Sequence, residues 1–391
     1  MRGLAGNLRV LIIGLSVLLA LAAPARGGED QVRVESNASF WWIIDEEVEN
    51  GLFQNGSLDQ AADRASGFIL SSGRIALAWQ SASGRIEALV SLRLEQRTDV
   101  LDFYGTWNFR PWLKVSVGQM RIPSTREGLT PYYDLDFISK STFGTYISDY
   151  SLSRTPYISS VMAVKSYDRD MGLALRGDLK NGDRSVLSWF MMLSNGIGAG
   201  KYVGGREEPG FIYTNRAGDH YYGARVEVSP RSGVTFGFHL SRNIHEDVTL
   251  GERGPVLDFD RSARTADIQT RLPWGQCIYA FYGEGKMDDF SLAQRYVFKY
   301  EGWGLSLVQP FFGERFEVCA RFDNFETRYT TGSVTTDQDN FTVGVNFRPD
   351  PRLRLMLNYL IKDTKNASKP DLDDNILYLD LQFTFDTGLN G

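Results

Sequence analysis

The sequence predicts an all-β protein, a transmembrane antiparallel β-barrel of about sixteen strands. Three observations favour this fold class. Apolar and polar residues alternate in segments of about ten residues along the chain. The connections between these segments are alternately short and long, and aromatic residues cluster near the segment ends.

The alternation is clear near the C-terminal end, where Leu353, Leu355 and Leu357 alternate with polar neighbours such as Arg352 and Arg354. Successive side chains of a strand point to opposite faces, so each segment has one apolar and one polar face. An amphipathic helix would instead repeat its apolar residues every three or four positions. The predicted strands are 31–43, 66–80, 84–97, 99–109, 112–121, 168–179, 185–194, 219–229, 233–243, 262–272, 276–286, 294–307, 315–326, 339–347, 352–362 and 375–386.

The connections indicate a barrel of the bacterial outer membrane, where short turns meet at one end and long loops at the other. Barrel closure satisfies every backbone group in lipid, and the polar face then lines an aqueous lumen. A large soluble β-sandwich or propeller explains the alternation equally well, but its strands are usually shorter. Short connections are predicted at 81–83, 110–111, 180–184, 230–232, 273–275 and 349–351, and long ones at 44–65, 122–167, 195–218, 244–261, 327–338 and 363–374.

The first 28 residues have the layout of a secretory signal. Arg2 and Arg9 precede an apolar run from Val10 to Ala23, and Ala23-Pro24-Ala25 offers a small-residue cleavage site. The run is too short to cross a bilayer core of about 30 Å as a helix. We therefore predict a cleaved signal peptide at 1–28 and a single barrel domain at 29–391, in an exported protein.

Composition excludes several function classes. The chain has 42 Lys+Arg against 48 Asp+Glu, which argues against a broad nucleic-acid-binding face. Two Cys exclude a four-thiolate zinc site, and three His leave little room for a histidine-based metalloenzyme. The sequence contains neither G-x-S-x-G nor H-E-x-x-H, so no enzyme, metal or cofactor is predicted. An outer-membrane hydrolase is the remaining catalytic alternative, with His239 and Ser241 on one strand face but no assignable acid.

Residues 117–143 read VGQMRIPSTREGLTPYYDLDFISKSTF. This stretch resembles the phosphate-selective porin O/P family, in which a strand ending V-G-Q/N-x-K/R-x-P runs into E-x-L-T-S and then D-x-x-F-I/M-x-R/K-S. Shorter stretches at 169–173, 193–198 and 222–226 are similar to further motifs of that family. The resemblance is strongest over residues 99–230.

The resemblance implies a sixteen-stranded outer-membrane porin, normally a homotrimer, with a long third loop folded into the lumen. Its expected partners are outer-membrane lipid, lipopolysaccharide and small anions. Charges on a loop that narrows an aqueous channel select the ions that pass. The longest predicted loop follows the fifth strand and carries nearly balanced charges. We expect the constriction to be formed by Arg121, Arg126, Lys140 and Arg154, which stand among the acids Glu127, Asp134, Asp136 and Asp149.

On the barrel wall, the same alternation places both basic and acidic residues on lumen-facing positions. One interpretation is a lumen lined by mutually paired charges, and the other is anion selectivity from an excess of bases. The expected lumen-facing bases include Arg85, Arg93, Arg176, Arg225, Arg321 and Arg354.

We predict an outer-membrane porin for passive diffusion of small hydrophilic solutes, in particular anions such as phosphate or related oxyanions. Two alternatives stay open. One is a non-selective or weakly cation-selective porin. The other is a barrel sheath that holds a multihaem cytochrome as an electron conduit.

Overall fold

The fold is seen in a computed structural model of the 391-residue chain. The structure describes residues 30–45, 66–94, 99–148, 169–196, 211–212, 220–250, 256–291, 294–313, 315–329, 334–366 and 369–390. The predicted signal peptide and Arg154 lie outside the described residues.

Sixteen long strands and one two-residue strand form a single antiparallel sheet. Each of the sixteen long strands overlaps one of the sixteen segments predicted from the alternation. The strands are β1 (Gln31–Asp45), β2 (Ser66–Gln80), β3 (Ile86–Arg93), β4 (Asp99–Arg110), β5 (Leu113–Arg121), β6 (Arg169–Asn181), β7 (Arg184–Ser194), β8 (Phe211–Ile212), β9 (His220–Arg231), β10 (Val234–Leu250), β11 (Val256–Arg271), β12 (Cys277–Ser291), β13 (Gln294–Phe311), β14 (Phe316–Tyr329), β15 (Val334–Asp350), β16 (Leu353–Asn366) and β17 (Lys369–Asn390).

The sheet closes on itself. Each long strand pairs with the long strands before and after it in the chain, and β1 pairs with both β2 and β17. The short strand β8 pairs with the end of β10. The predicted closed antiparallel barrel of sixteen strands is therefore confirmed.

The two faces of the barrel wall differ in chemistry. On β10, Phe238 and Leu240 are 53% and 64% exposed, whereas His239 between them is 2% exposed. The same alternation runs through the other strands, where exposed aliphatic and aromatic side chains share one face and buried polar side chains share the other. We call these the apolar face and the polar face.

The predicted loops at 244–261, 327–338 and 363–374 are wrong in extent, because strands occupy most of them. Outside the lipid a strand keeps its backbone hydrogen bonds without needing an apolar face, so the apolar alternation ends before the strand does. The observed strand ends are Leu250 and Val256, Tyr329 and Val334, and Asn366 and Lys369.

Aromatic pairs near strand ends divide between the two faces. Trp42 and Tyr222 are exposed, but their neighbours Trp41 and Tyr221 are 8% and 2% exposed. Adjacent residues of a strand point to opposite faces, so only one member of each pair can lie on the apolar face. Of these two pairs, only Trp42 and Tyr222 are therefore placed to contribute to an aromatic girdle at the membrane interface.

The residues after β5 contain short helices, and we refer to residues 122–148 as the loop segment. It comprises helix α1 (Arg126–Leu129), a 3-10 helix (Tyr132–Asp134) and helix α2 (Thr142–Ser148). The Thr125 side chain caps α1 by accepting a hydrogen bond from the Gly128 N–H at 3.0 Å.

Among the residues that the structure describes, no helix has the length and apolar character needed to cross a membrane.

Candidate functional site

The loop segment is bound to the polar face of strands far from the one that it leaves. Its first residues contact β9, where the Tyr221 hydroxyl donates to the Pro123 carbonyl at 2.9 Å. The Arg225 guanidinium, also on β9, donates to the Ser124 carbonyl at 3.2 Å. These bonds satisfy backbone carbonyls that would otherwise need water.

The middle of the loop segment is held by side chains of β15 and β16. Arg354 donates to the Leu135 carbonyl at 2.6 Å, and Asn346 donates to the Asp136 carbonyl at 3.0 Å. The Asn358 side chain accepts a hydrogen bond from the Ile138 N–H at 2.8 Å. Side chains of the barrel wall thus replace the secondary-structure partners that this irregular backbone lacks.

An ion-pair network on β14 holds the second half of the loop segment. Arg321 Nη1 lies 3.3 Å from Glu127 Oε1 and donates to the Ser139 carbonyl at 2.8 Å. Asp323 lies 3.1 Å from Arg321 Nε and accepts from the Thr142 N–H at 3.1 Å. With β8 left out, β5 and β14 are the fifth and thirteenth of sixteen strands, so seven strands lie between them in either direction. The loop segment therefore reaches the side of the barrel opposite β5.

Helix α2 is docked through an aromatic side chain. Phe143 is fully buried, and its ring centroid lies 5.6 Å from that of Phe281 in a stacked geometry. Gly283 and Gly302, which stand opposite each other on β12 and β13, leave the room for this ring. A Cβ at Gly302 would lie 2.7 Å from Phe143 Cδ2, closer than real carbon atoms approach.

Two of the predicted constriction residues surround the C-terminal end of α1. Arg121 donates to the Leu129 carbonyl at 2.7 Å, and Lys140 Nζ donates to the Gly128 carbonyl at 3.4 Å. Cations near the last carbonyls of a helix are favourably placed. The third, Arg126, is the first residue of α1, and its Nη1 lies 3.9 Å from Glu227 Oε1.

Three of the predicted lumen-facing bases are bound to carboxylates or to the loop segment. Arg225 makes a bidentate contact with Asp267, at 2.7 and 2.9 Å. Arg321 contacts Glu127 and Asp323 as described above, and Arg354 Nη2 lies 3.5 Å from Glu317 Oε2. Each of the three therefore contacts both a carboxylate and a backbone carbonyl of the loop segment.

The other three predicted bases have different surroundings. Arg176 packs its guanidinium 4.4 Å from the ring centre of Phe190 and contacts Met120 Sδ at 3.0 Å. Arg85 lies in the exposed turn before β3. Arg93 is half-buried and stands opposite Arg74 in the pairing of β2 with β3.

A cluster of four arginines lies on β2 to β6, and we refer to Arg74, Arg93, Arg121 and Arg169 as the arginine cluster. Arg169 makes a bidentate contact with Asp102, at 2.8 and 3.3 Å, and Arg74 lies 3.5 Å from the same carboxylate. The register places Arg121 opposite Arg169 and Arg74 opposite Arg93.

The arginine cluster lies beside the loop segment, since Arg74 Nη1 is 3.4 Å from the Tyr133 hydroxyl. Sequence reasoning missed Arg74 and Arg169 because their grouping depends on strand register, which the alternation alone does not give. Like charges directly opposite each other lower the stability of a sheet. Such pairs therefore indicate a functional role for these arginines rather than a role in folding.

Two carboxyl groups of the loop segment, Asp134 and Asp136, have a raised pKa. Burial raises the pKa of Asp136 above its usual range, although Arg354 acts in the opposite direction. The pKa of Asp134 is raised for the same reason. The loop segment thus brings two carboxyl groups of raised pKa to the side of the barrel that carries Arg354.

The expected family resemblance is confirmed by residues 297–385, which match the family model described as phosphate-selective porin O and P. The match falls on the C-terminal strands, not on residues 99–230, where the sequence motifs are strongest. No curated protein matches the sequence.

Solved structures share the fold. OmpT of Vibrio cholerae in its trimer form superposes with a TM-score of 0.61 at 12% identity, covering 91% of this chain and 99% of that one. An anion-selective porin from Comamonas acidovorans gives 0.59 at 12% identity, with coverages of 92% and 99%. The outer membrane channel DcaP of Acinetobacter baumannii gives 0.59 at 9% identity, with coverages of 93% and 99%. The chain therefore has the barrel fold of outer-membrane porins.

Proposed function

We propose that this protein is a bacterial outer-membrane porin that lets small hydrophilic solutes diffuse passively and prefers anions, in particular phosphate and related oxyanions. The observation that carries the preference is the arginine cluster, in which Arg169 and Arg74 both contact Asp102 and strand pairing places Arg121 opposite Arg169 and Arg93 opposite Arg74, beside the loop segment.

In this proposal the polar face lines the lumen and the loop segment narrows it. The loop segment is bonded to β9, β14, β15 and β16 and reaches the side opposite β5. The arginine cluster and Tyr133 then lie on one side of the passage. The carboxylates Glu127, Asp323 and Glu317 lie on the other, where Arg321 and Arg354 compensate them.

The chemistry of the arginine cluster suits oxyanions. Guanidinium groups stay charged at all physiological pH values, and their planar N–H groups match the oxygens of phosphate bidentately. A cluster that exchanges one bound anion for the next gives both entry and exit, since conduction needs binding that is favourable but not tight. The remaining predicted bases, Arg225, Arg321 and Arg354, position the loop segment in this proposal.

The comparisons support the proposal at two points. The matched family model is described as phosphate-selective, and one structure of the same fold is an anion-selective porin. We also propose a homotrimer in the outer membrane, because a structure of the same fold is described in its trimer form.

The test is single-channel recording in a planar bilayer, with the reversal potential measured in a KCl gradient and phosphate added stepwise. The expected result is a current that favours chloride over potassium and is reduced by phosphate. A current that favours potassium, or no current from a correctly folded barrel, would contradict the proposal. The second result would favour a barrel whose lumen is filled.

A single substitution tests whether the arginine cluster causes the preference for anions. Arg74→Gln removes one charge of the arginine cluster and should shift the reversal potential towards zero. Arg231→Gln removes an exposed charge at the end of β9 and should leave the reversal potential unchanged. Equal shifts in both variants would mean that the selectivity arises from the overall charge of the protein.

A further inference from the structure

One arginine on the polar face is surrounded by apolar side chains. The Arg176 guanidinium on β6 lies over the ring of Phe190 on β7, with its Cζ atom 4.4 Å from the ring centroid. The same atom lies 5.5 Å from the ring centroid of Tyr104 on β4, and Nη2 contacts Met120 Sδ at 3.0 Å. We refer to Tyr104, Arg176 and Phe190 as the aromatic arginine site.

The aromatic arginine site lies on the same face as the arginine cluster. Tyr104 follows Asp102 on β4 by two positions, and side chains two positions apart point to the same side of a strand. A strand advances about 3.3 Å per residue, so these two side chains leave the backbone about 7 Å apart. Because β4 runs from Asp99 towards the short turn after Arg110, the aromatic arginine site lies on the short-turn side of Asp102.

Within the part of the chain that the structure describes, no Asp or Glu side chain forms an ion pair with Arg176. Arg169 and Arg225, by contrast, each make a bidentate contact with an aspartate. The Arg176 Nε atom is buried and has no hydrogen-bond partner among the described residues. A thioether sulfur is a weak acceptor, so Met120 satisfies little of the hydrogen-bonding capacity of this guanidinium. Arg176 therefore keeps both its charge and its N–H groups for an anionic acceptor.

The barrel wall beside Arg176 is apolar, although it belongs to the polar face. Tyr104 and Phe190 pack against a cluster of buried apolar side chains from the wall and the start of the loop segment. The buried members of this cluster are Met120, Ile122, Ala174, Met192 and Tyr221. Tyr104, Arg176 and Phe190 are themselves half-buried, so each keeps part of its surface open to the proposed lumen.

We propose that the aromatic arginine site binds small aromatic carboxylates, of which benzoate is the simplest. This inference rests on the proposed function, because it names a second class of anion for the same passage. Contact with aromatic rings does not use the hydrogen-bonding capacity of a guanidinium, whose N–H groups can still bind a carboxylate bidentately. A carboxylate bound to Arg176 brings its own ring beside Tyr104 and Phe190, and aromatic pairs are favourable at centroid separations of about 4.5–7 Å.

The apolar surroundings favour an aromatic acid over phosphate at this position. Phosphate presents only oxygen atoms, and neither an aromatic ring nor a thioether can replace the hydrogen bonds that it makes with water. The ring of an aromatic acid gains free energy when it leaves water for the surface of Phe190. A single carboxylate also matches a single guanidinium, whereas the several guanidinium groups of the arginine cluster suit phosphate.

The test measures ligand binding to the full barrel in detergent by titration with saturation-transfer NMR. The probes are benzoate, cyclohexanecarboxylate and acetate, which share the carboxylate, and benzoate should bind most tightly because it alone has an aromatic ring. Arg176→Gln should weaken benzoate binding about tenfold, the loss expected for a charge-assisted hydrogen bond. Arg176→Lys keeps the charge but lacks the planar N–H groups, so it should restore little of the benzoate binding.

Two further variants separate the contributions of the ring and of the charge. Phe190→Leu keeps the wall apolar but removes the ring, so it should weaken benzoate binding about threefold and leave acetate binding unchanged. Lys114→Gln is the matched control, because Lys114 stands opposite Arg176 on β5 and its Nζ lies 3.9 Å from Glu87 Oε1. It removes a cation at the same level of the barrel and should leave benzoate binding unchanged. Equal binding of benzoate and cyclohexanecarboxylate, or undiminished benzoate binding by Arg176→Gln, would overturn the proposal.

Channel recording distinguishes this inference from the proposed function. Benzoate should reduce the chloride current of the wild type at a lower concentration than acetate does. Arg176→Gln should abolish that difference but keep the reduction by phosphate, which we assign to the arginine cluster. The NMR measurement needs no current, so a barrel that favours potassium and still binds benzoate would contradict the proposed function alone. A current that phosphate reduces, without any preference for benzoate, would contradict this inference alone.

Discussion

Arg321 on β14 and Glu127 on α1 form an ion pair, Nη1 to Oε1 at 3.3 Å, although 194 positions separate them in the sequence. The side chains are 5% and 11% exposed. Glu127 also accepts hydrogen bonds from the backbone N–H and the hydroxyl of Ser141. One carboxylate therefore connects α1, the start of α2 and the opposite side of the barrel.

Replacing Arg321 should release the loop segment. Arg321→Gln leaves Glu127 and Asp323 buried without their cation, and breaking a buried pair in this way costs about 3–5 kcal/mol. We expect a larger and noisier single-channel conductance and faster proteolysis within residues 122–148. Glu127→Gln combined with Arg321→Gln should lose less than the sum of the single changes. Strict additivity would mean that the pair does not couple the two elements.

The fit of Phe143 between two glycines predicts a steric effect. A Cβ on Gly283 would overlap the ring of Phe143, so Gly283→Ala should displace α2 and cost about 1–3 kcal/mol. The measurement is thermal unfolding in detergent together with channel conductance. Gly105→Ala is the matched control, because its nearest neighbour is the Glu87 carbonyl oxygen at 4.0 Å. Adding Phe143→Ala to Gly283→Ala should restore the room; if it does not, the glycine has another role.

Replacing Arg225, which pairs with Asp267, should have a large effect on the stability of the protein and a small effect on its ion selectivity. The two side chains are 2% and 1% exposed. Arg225→Ala leaves a buried carboxylate uncompensated and should lower the free energy of unfolding by about 3–5 kcal/mol. Arg242→Ala breaks the exposed pair with Asp260 and should cost about 1 kcal/mol or less. Urea unfolding of detergent-solubilised protein checks both values, and equal losses would contradict the role of burial.

The raised pKa of Asp136 predicts a dependence on pH. Below that raised pKa the carboxyl group is neutral, so lowering the pH from neutrality should increase the preference for anions. The change should occur above the usual carboxyl range. Asp136→Asn should show the increased preference already at neutral pH and a weaker response to acid. A pH response identical to that of the wild type would assign the effect to other groups.

The raised pKa of Asp136 also predicts how the stability of the protein changes with pH. Because the folded state binds the proton of Asp136 more tightly than the unfolded chain, this group favours folding at low pH. Its contribution is lost as the pH rises through the raised pKa. Asp136→Asn should therefore stabilise the protein at neutral pH, measured as a higher unfolding temperature in detergent. Destabilisation would mean that the carboxylate makes a favourable contact in the folded protein.

The strands could be predicted from the sequence because their signal is local. Leu353, Leu355 and Leu357 form one face of β16 whatever the strand contacts. The same alternation placed Arg321 and Arg354 on the polar face, where the structure shows both against the loop segment. Local patterns also placed the longest loop after the fifth strand.

The docking of the loop segment could not be predicted in the same way. The fit of Phe143 to Gly283 and Gly302 depends on the register of β12 against β13 and on a contact between distant parts of the chain. The arginine cluster likewise depends on which residue of β2 faces which residue of β3. A shift of one position would exchange the faces, and the alternation alone does not fix it.

The seam between β1 and β17 has a consequence for biogenesis. Its ion pair joins Arg33 to Asp386, residues 353 positions apart. Because β1 is synthesised before β17, one edge of β1 stays unpaired until β17 has been made. Until then the chain offers an unpaired edge and apolar side chains, a combination prone to aggregation. Such a chain is exposed to aggregation until β17 pairs with β1, and loss of β17 would leave the barrel with two open edges.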